Sequence, residues 1–223
     1  MKILALETST DRCSVALWRE GDVYAREVFA GQRHSELLLG MVDEALRRHA
    51  LTARELDGIA FGAGPGSFTG LRIACGVTQG IAFGAGLRVV GVSTLLAVAE
   101  AAGAERAVCC LDARMGQVYH AAYLRSGGGW ATVHGPGLYD PQAAPLVAEG
   151  AWTGCGSGFG AYREALMWRY AGCLTAILPD VHPRAAEIAR LAVPEFAAGR
   201  SVPPEAAVPV YIRDKVALRT DER

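Results

Sequence analysis

The sequence predicts an α/β fold of two similar halves, each a mixed sheet with helices on its faces. Three observations point there. Short alternating apolar runs give way to segments with helical apolar spacing and back again, the order expected of strands and helices packed in layers. An apolar strand that ends in an acid opens each half, residues 3–7 closing on Glu7 and 107–112 closing on Asp112. A glycine-rich loop then leads from an apolar strand into a helix, at 62–72 and again at 154–160. The 223 residues are long for one small domain and short for two ordinary ones, which suits a division at 1–103 and 104–223.

The elements follow in order. Residues 2–8 form a short apolar run, 13–19 alternate through Cys13, Val15 and Leu17, and 23–29 follow a Gly21-Asp22 turn. Three strands in an antiparallel meander are expected. A helix over 34–50 comes next, with Leu38, Met41, Val42, Ala45, Leu46 and His49 along one face. Residues 56–62 read as a buried strand, 70–85 as a helix, 88–92 as a strand, and 93–102 as a helix capped by Ser93. In the second half, strands are expected at 107–112, 117–124, 130–134 and 151–155, with helices at 161–169 and 184–198. Pro183 is expected in the first turn of the last helix. The repeat alone leaves open whether the halves are related or merely share a class.

Composition excludes several functions. With 51% hydrophobic and 20% charged residues the chain is neither disordered nor highly charged. The net charge is −1, the only lysines are Lys2 and Lys215, and the arginines are scattered, which argues against a large nucleic-acid surface made by this chain alone. The six cysteines form no CxxC pair, and Cys109 and Cys110 are adjacent, so neither a disulfide framework nor a zinc site is expected. The apolar stretch at 3–6 is far too short for a signal peptide or membrane span, and a cytoplasmic protein without membrane contact is predicted.

Chemistry-bearing motifs are few. GAGPGSFTGLR at 62–72 leaves backbone amides open at a helix start, where phosphates bind well. It lacks the lysine of a Walker loop and the flanking glycines of a nucleophile elbow. A tight strand-to-helix turn with Thr69 as N-cap is the plainer alternative. The loop at 154–160 is open in the same way, to a phosphate or adenosine cradle or to a plain turn. In ATP-handling folds of this layout, acids such as Glu7 and Asp112 hold magnesium or water near phosphates, whereas here they can equally cap the turn amides of ETSTDR and DARMGQ. No catalytic residue and no metal ligand is assigned, and nucleotide contact, if any, would be weak and fall on Glu7, Thr8, Ser9, Asp112, Gly156 or Gly158.

Two helices are unusual. Gly76, Gly80 and Gly84 recur at four-residue spacing, which costs helix propensity about 0.8–1 kcal/mol each relative to alanine. The flat face they make suits close packing, on the chain's own sheet or on a partner's helix. Helix 34–50 carries Leu37, Leu38, Leu39, Met41, Val42, Ala45 and Leu46, more apolar surface than one buried stripe requires. The five histidines include no i, i+4 pair, and the residue four after His34 is Leu38.

Five motifs together carry a resemblance. ALETST at 5–10, QRHSELLL at 32–39, GPGSFTGLR at 64–72, LDARMGQVY at 111–119 and PVYIRDKVA at 209–217 resemble the bacterial TsaB (YeaZ) family of tRNA threonylcarbamoyladenosine biosynthesis proteins, in order and over nearly the whole chain. The resemblance implies an actin-like ATPase fold of two ribonuclease-H-like halves. It also implies a non-catalytic partner of the relative TsaD, which attaches threonylcarbamoyl to the adenosine beside the anticodon in tRNAs reading codons that begin with A. TsaD holds iron or zinc through an HxxxH pair on the helix corresponding to 34–50; here Leu38 replaces the second histidine. The implied contacts are a TsaD-type subunit or a second copy of the chain, through Leu37, Leu38, Met41, Val42, Ala45, Ile73, Gly76, Val77 and Gly80. A TsaE-type P-loop ATPase is the implied third component, and tRNA is reached only through the complex. The rival expectations are a nucleotide-dependent phosphotransferase using the glycine loops with Glu7 and Asp112, and a glycoprotease, which would need a metal pair or activated nucleophile that the motifs do not supply.

Overall fold

A computed structural model describes residues 1–213. Two five-stranded sheets share one topology. In the first, β1 (Lys2–Glu7) is flanked by antiparallel β2 (Arg12–Arg19) and parallel β4 (Gly58–Gly64), with β3 (Asp22–Phe29) and β5 (Val89–Ser93) at the edges. In the second, β6 (Arg106–Asp112) is central, between antiparallel β7 (Val118–Ser126) and parallel β9 (Trp152–Cys155), with β8 (Gly129–Tyr139) and β10 (Leu174–Leu178) outside. The same order, three antiparallel strands and then two parallel ones, occurs twice, which answers the question that the two strand–acid openings left open.

The central strands are buried on both faces, so their apolar runs are continuous and alternate in what they touch. Leu4 and Leu6 of β1 meet α1 (His34–Arg48) and α2 (Phe68–Ala85), while Ile3 and Ala5 meet α6 (Ala185–Ala197) on the opposite face. In β6, Ala107, Cys109 and Leu111 pack on Leu95, Val98 and Ala99 of α3 (Thr94–Ala102). Val108 and Cys110 face the other way, toward Phe159 of α4 (Gly158–Ala161) and Leu166 of α5 (Arg163–Arg169). The layers therefore run from α1 and α2, through the first sheet, to α6 and α3, then the second sheet, then α4 and α5.

Several elements differ from expectation. The cap of α2 is Ser67, whose hydroxyl accepts from Gly70 N–H at 3.3 Å, so the helix starts earlier than a Thr69 cap would place it. Ser93 caps α3 through Leu96 N–H as expected. Pro183 lies before the first turn of α6, since Arg184 is the N-cap. The helix expected over 161–169 is two short helices broken at Tyr162, and β10 was not foreseen. The division at 103/104 falls between α3 and β6, but α6 and Val202, which bridges to Val89, return to the first sheet. Of PVYIRDKVA, residues 214–217 lie outside the described part.

Candidate functional site

A cleft of about 1040 Å³ separates the halves. It is lined by the β1–β2 turn (Ser9, Thr10), His34, the start of α2 (Ser67, Thr69), the β6–β7 turn (Asp112, Arg114) and residues 210–213. The two opening acids do the same job in each half. Glu7 Oε1 accepts the N–H of Ser9, and Asp112 Oδ1 accepts the N–H of Arg114 at 2.8 Å, each tying the turn two residues on. Their exposure differs. Glu7 is fully buried, its Oε2 has no hydrogen-bond partner among the described residues, and burial raises its pKa against the lowering effect of the Ser9 bonds. Asp112 borders the cleft and also accepts from the Tyr162 hydroxyl at 3.0 Å and pairs with Arg114 at 3.2 Å.

The glycine loops exist for close approach of backbone. A Cβ at Gly62 would lie 1.8 Å from Glu7 Oε2, and one at Gly70 would lie 1.9 Å from the Thr8 carbonyl. Thr8 itself is buried and donates its hydroxyl to the Gly70 carbonyl at 2.7 Å. In the second half, Cβ atoms at Gly156 and Gly158 would fall 2.5 Å and 2.8 Å from Cys110. Of the expected nucleotide contacts, then, Glu7 and Thr8 are sealed into internal bonds and Gly156 and Gly158 are pressed on β6. Ser9 and Asp112 line the cleft.

The other candidate surface is the outside of α1 and α2. Leu38, Met41, Val42 and Ala45, expected at an interface, instead face the first sheet and are buried in the core, because i, i+3, i+4, i+7 spacing is one stripe of a helix. The outer face of α1 is Glu36, Gly40, Asp43, Glu44 and Arg47, with Leu37 half-buried at its edge. On α2 the glycines Gly76, Gly80 and Gly84 are exposed, Ile73 and Val77 are half-buried at the edge of the first core, and a Cβ at Gly76, Gly80 or Gly84 would meet no described residue within 4 Å. Packing on the chain's own sheet therefore does not account for these glycines. Sequence reasoning missed Phe83, 80% exposed on this helix, whereas Leu39, read there among the surplus apolar residues of α1, is 56% exposed. Extending the 73–76–77–80 progression by one turn would have found Phe83.

The donor set does not fit the relative's metal pair. His34 is buried with Nε2 donating to the Arg12 carbonyl at 3.2 Å, and the position four residues on is Leu38, inside the core. Among the described residues no three His, Cys, Asp or Glu side chains converge as a metal site would need. No helix among them is long and apolar enough to cross a membrane.

Two sheets of one order, packed through α6 and α3 with a cleft opening at the turns that follow β1 and β6, define a duplicated ribonuclease-H-like, actin-like fold. The family model described as TsaD, tRNA N6-adenosine threonylcarbamoyltransferase, matches residues 28–217. The tRNA threonylcarbamoyladenosine biosynthesis protein TsaB of Escherichia coli (strain K12) is 36% identical over 227 residues, covering 98% of this chain and 97% of that protein. TsaB of Haemophilus influenzae is 34% identical, covering 98% and 96%. YeaZ from Pseudomonas aeruginosa superposes with a TM-score of 0.87 at 35% identity, over 94% of this chain and 99% of that one. The chain belongs to the TsaB family, within the wider family of threonylcarbamoyltransferases.

Proposed function

We propose that this chain serves tRNA threonylcarbamoyladenosine biosynthesis in the cytoplasm as the docking partner of a TsaD-type catalytic subunit, making no covalent bonds itself. The observation that carries the reading is the outward glycine stripe of α2. Three glycines weaken a helix by about 2–3 kcal/mol in total, and no atom of the described residues uses the flatness they create. A second helix can approach such a face closely, with Ile73, Val77 and Phe83 as apolar flanks. The docking surface is thus centred on α2, while α1 contributes its charged outer face and Leu39. Support for a non-catalytic part comes from the acids: Glu7 is enclosed, and Asp112 is committed to a turn amide, a tyrosine and an arginine. A TsaE-type ATPase and tRNA would then be engaged by the pair, and a homodimer through the same face would be the resting form.

The test is titration calorimetry of the full chain against a purified TsaD-type subunit. Gly80→Leu places a side chain where the partner helix must lie and should weaken binding at least about tenfold by overpacking, with threonylcarbamoyl transfer to tRNA falling in parallel. Wild-type affinity for Gly80→Leu would remove α2 from the interface. Leu38→Glu is unsuitable for this purpose, since it puts a charge into the chain's own core.

A further inference from the structure

The final described segment ties the halves together. After the 3-10 turn Pro204–Ala206, the chain runs along α2, where Cys75 Sγ and Gln79 Nε2 donate to the Ala207 carbonyl at 3.3 Å and 2.9 Å. Val210 N–H donates to the Ala63 carbonyl at 2.7 Å. The Tyr211 hydroxyl accepts from Arg72 Nε at 3.0 Å, and its ring lies 5.3 Å from that of Phe68, whose face Arg72 covers at 3.7 Å. All of these anchors belong to the first half. Two residues later the partners change: Arg213 Nη1 donates to the Ala113 carbonyl at 2.9 Å, and Nη2 donates to Gln117 Oε1 at 2.7 Å, both in the β6–β7 turn of the second half.

That turn needs support. Arg114 and Met115 adopt left-handed backbone with φ of 61° and 55°, a region that side-chain-bearing residues seldom occupy, and Gly116 follows at 76°. The Arg213 fork holds the turn from outside by its first carbonyl and by the side chain at its far end. Among the described residues no carboxylate pairs with Arg213 within salt-bridge distance; besides the Ala113 carbonyl and Gln117 Oε1, the guanidinium reaches the Arg114 carbonyl and Met115 Sδ, each at 3.5 Å, so its partners there are neutral groups of the second half.

We propose that residues 207–213 are a strap that sets the width of the cleft between the halves, with Arg213 as its pin. The strap lies on α2 at one end and on the β6–β7 turn at the other, and Tyr211 to Arg213 form part of the cleft wall, so widening the cleft pulls the pin from the turn. The inference concerns the free chain and does not depend on what docks on α2.

The experiment uses the full chain with nitroxide labels at Asp43→Cys on α1 and Glu164→Cys on α5, in a Cys173→Ser background that removes the one cysteine not fully buried. Pulsed electron spin measurements give the distance distribution between halves, and hydrogen exchange reads the amides of 113–117. Arg213→Ala should lengthen and broaden the distribution and speed exchange of the Gln117 amide about tenfold or more, as two charge-assisted bonds are lost. Arg213→Lys keeps the charge but cannot span both acceptors, and should behave like alanine. Both changes lie outside the cores, so the unfolding midpoint should stay near wild type. An unchanged distance distribution in Arg213→Ala overturns the proposal, even if exchange in the turn quickens, because the pin would then support the turn without joining the halves.

Discussion

Replacing Gly76 and Gly80 by alanine should make the isolated chain more stable while weakening its docking. Both glycines sit inside the 18-residue α2, and a Cβ at either meets no atom of the described residues within 4 Å. Nothing need move to admit the methyl groups, so the change reduces to helix propensity, about 0.8–1 kcal/mol per site and nearly 2 kcal/mol for the pair. For a chain of this length that corresponds to a rise of about 4–8 °C in Tm. Urea unfolding and a thermal scan measure it, at concentrations low enough to keep the chain monomeric, since self-association through the same face would subtract from the gain. The docking arm has the opposite sign, because each methyl holds a partner helix away. A loss of stability in the double variant would mean that the stripe is in contact with the chain's own atoms, and the reasoning about its outward face would fail.

Two further outcomes concern the cores. Leu38→Ala should cost about 2–5 kcal/mol of unfolding free energy, since Leu38 is fully buried under the first sheet; a loss below 1 kcal/mol in urea titration would contradict that placement. His120 is buried on β7 beside Tyr139, Tyr170 and His134, with neither ring nitrogen hydrogen-bonded to a described residue, and burial followed by the His134 charge lowers its pKa from 6.5 to about 3. The folded state therefore stays neutral while the unfolded chain takes up a proton below pH 6.5. Its contribution is complete above that pH and should fall by about 1.4 kcal/mol per unit as the pH drops toward 3. His120→Leu removes the unpaired nitrogens as well as the titration. Stability measured from pH 7 to pH 4 should decline less steeply in the variant, and parallel curves would refute the assignment.

Much of the fold was legible because periodicity and burial agree. The meander of β1 to β3, the strands ending at Glu7 and Asp112, and the long helices α1 and α2 all show their period in the residues themselves. The paired turns were legible as chemistry too, since an acid followed two residues later by an available amide is a local arrangement. What escaped depends on distance. The leucines of α1 were read as surplus, but Leu38, Met41, Val42 and Ala45 make one ordinary buried stripe, and only Leu37, Leu39 and Leu46 are extra. Edge strand β10 has half-exposed residues and no clean alternation, so LTAIL at 174–178 carried little signal. The destination of α6 was illegible because its alanines suit any flat surface. The small residues they meet, Ala5, Ala16 and Ala60, lie more than a hundred positions away. Arg213 was passed over for the same reason: its partners, 113 and 117, are near in space alone.

The route of α6 bears on how the molecule emerges from the ribosome. Ile3, Ala5, Ala16 and Ala60 are made well before Ala185, Ile188, Ala189 and Ala192 that cover them, with more than a hundred residues of synthesis between. At about 5–20 residues per second, the opening sheet waits several seconds with one side bare. The supply of a tRNA-modification component in a growing cell would thus depend on a nascent form exposed to chaperones and proteases until residues 185–192 have been made, and a ribosome halted before codon 184 would release a product that cannot close its own interior.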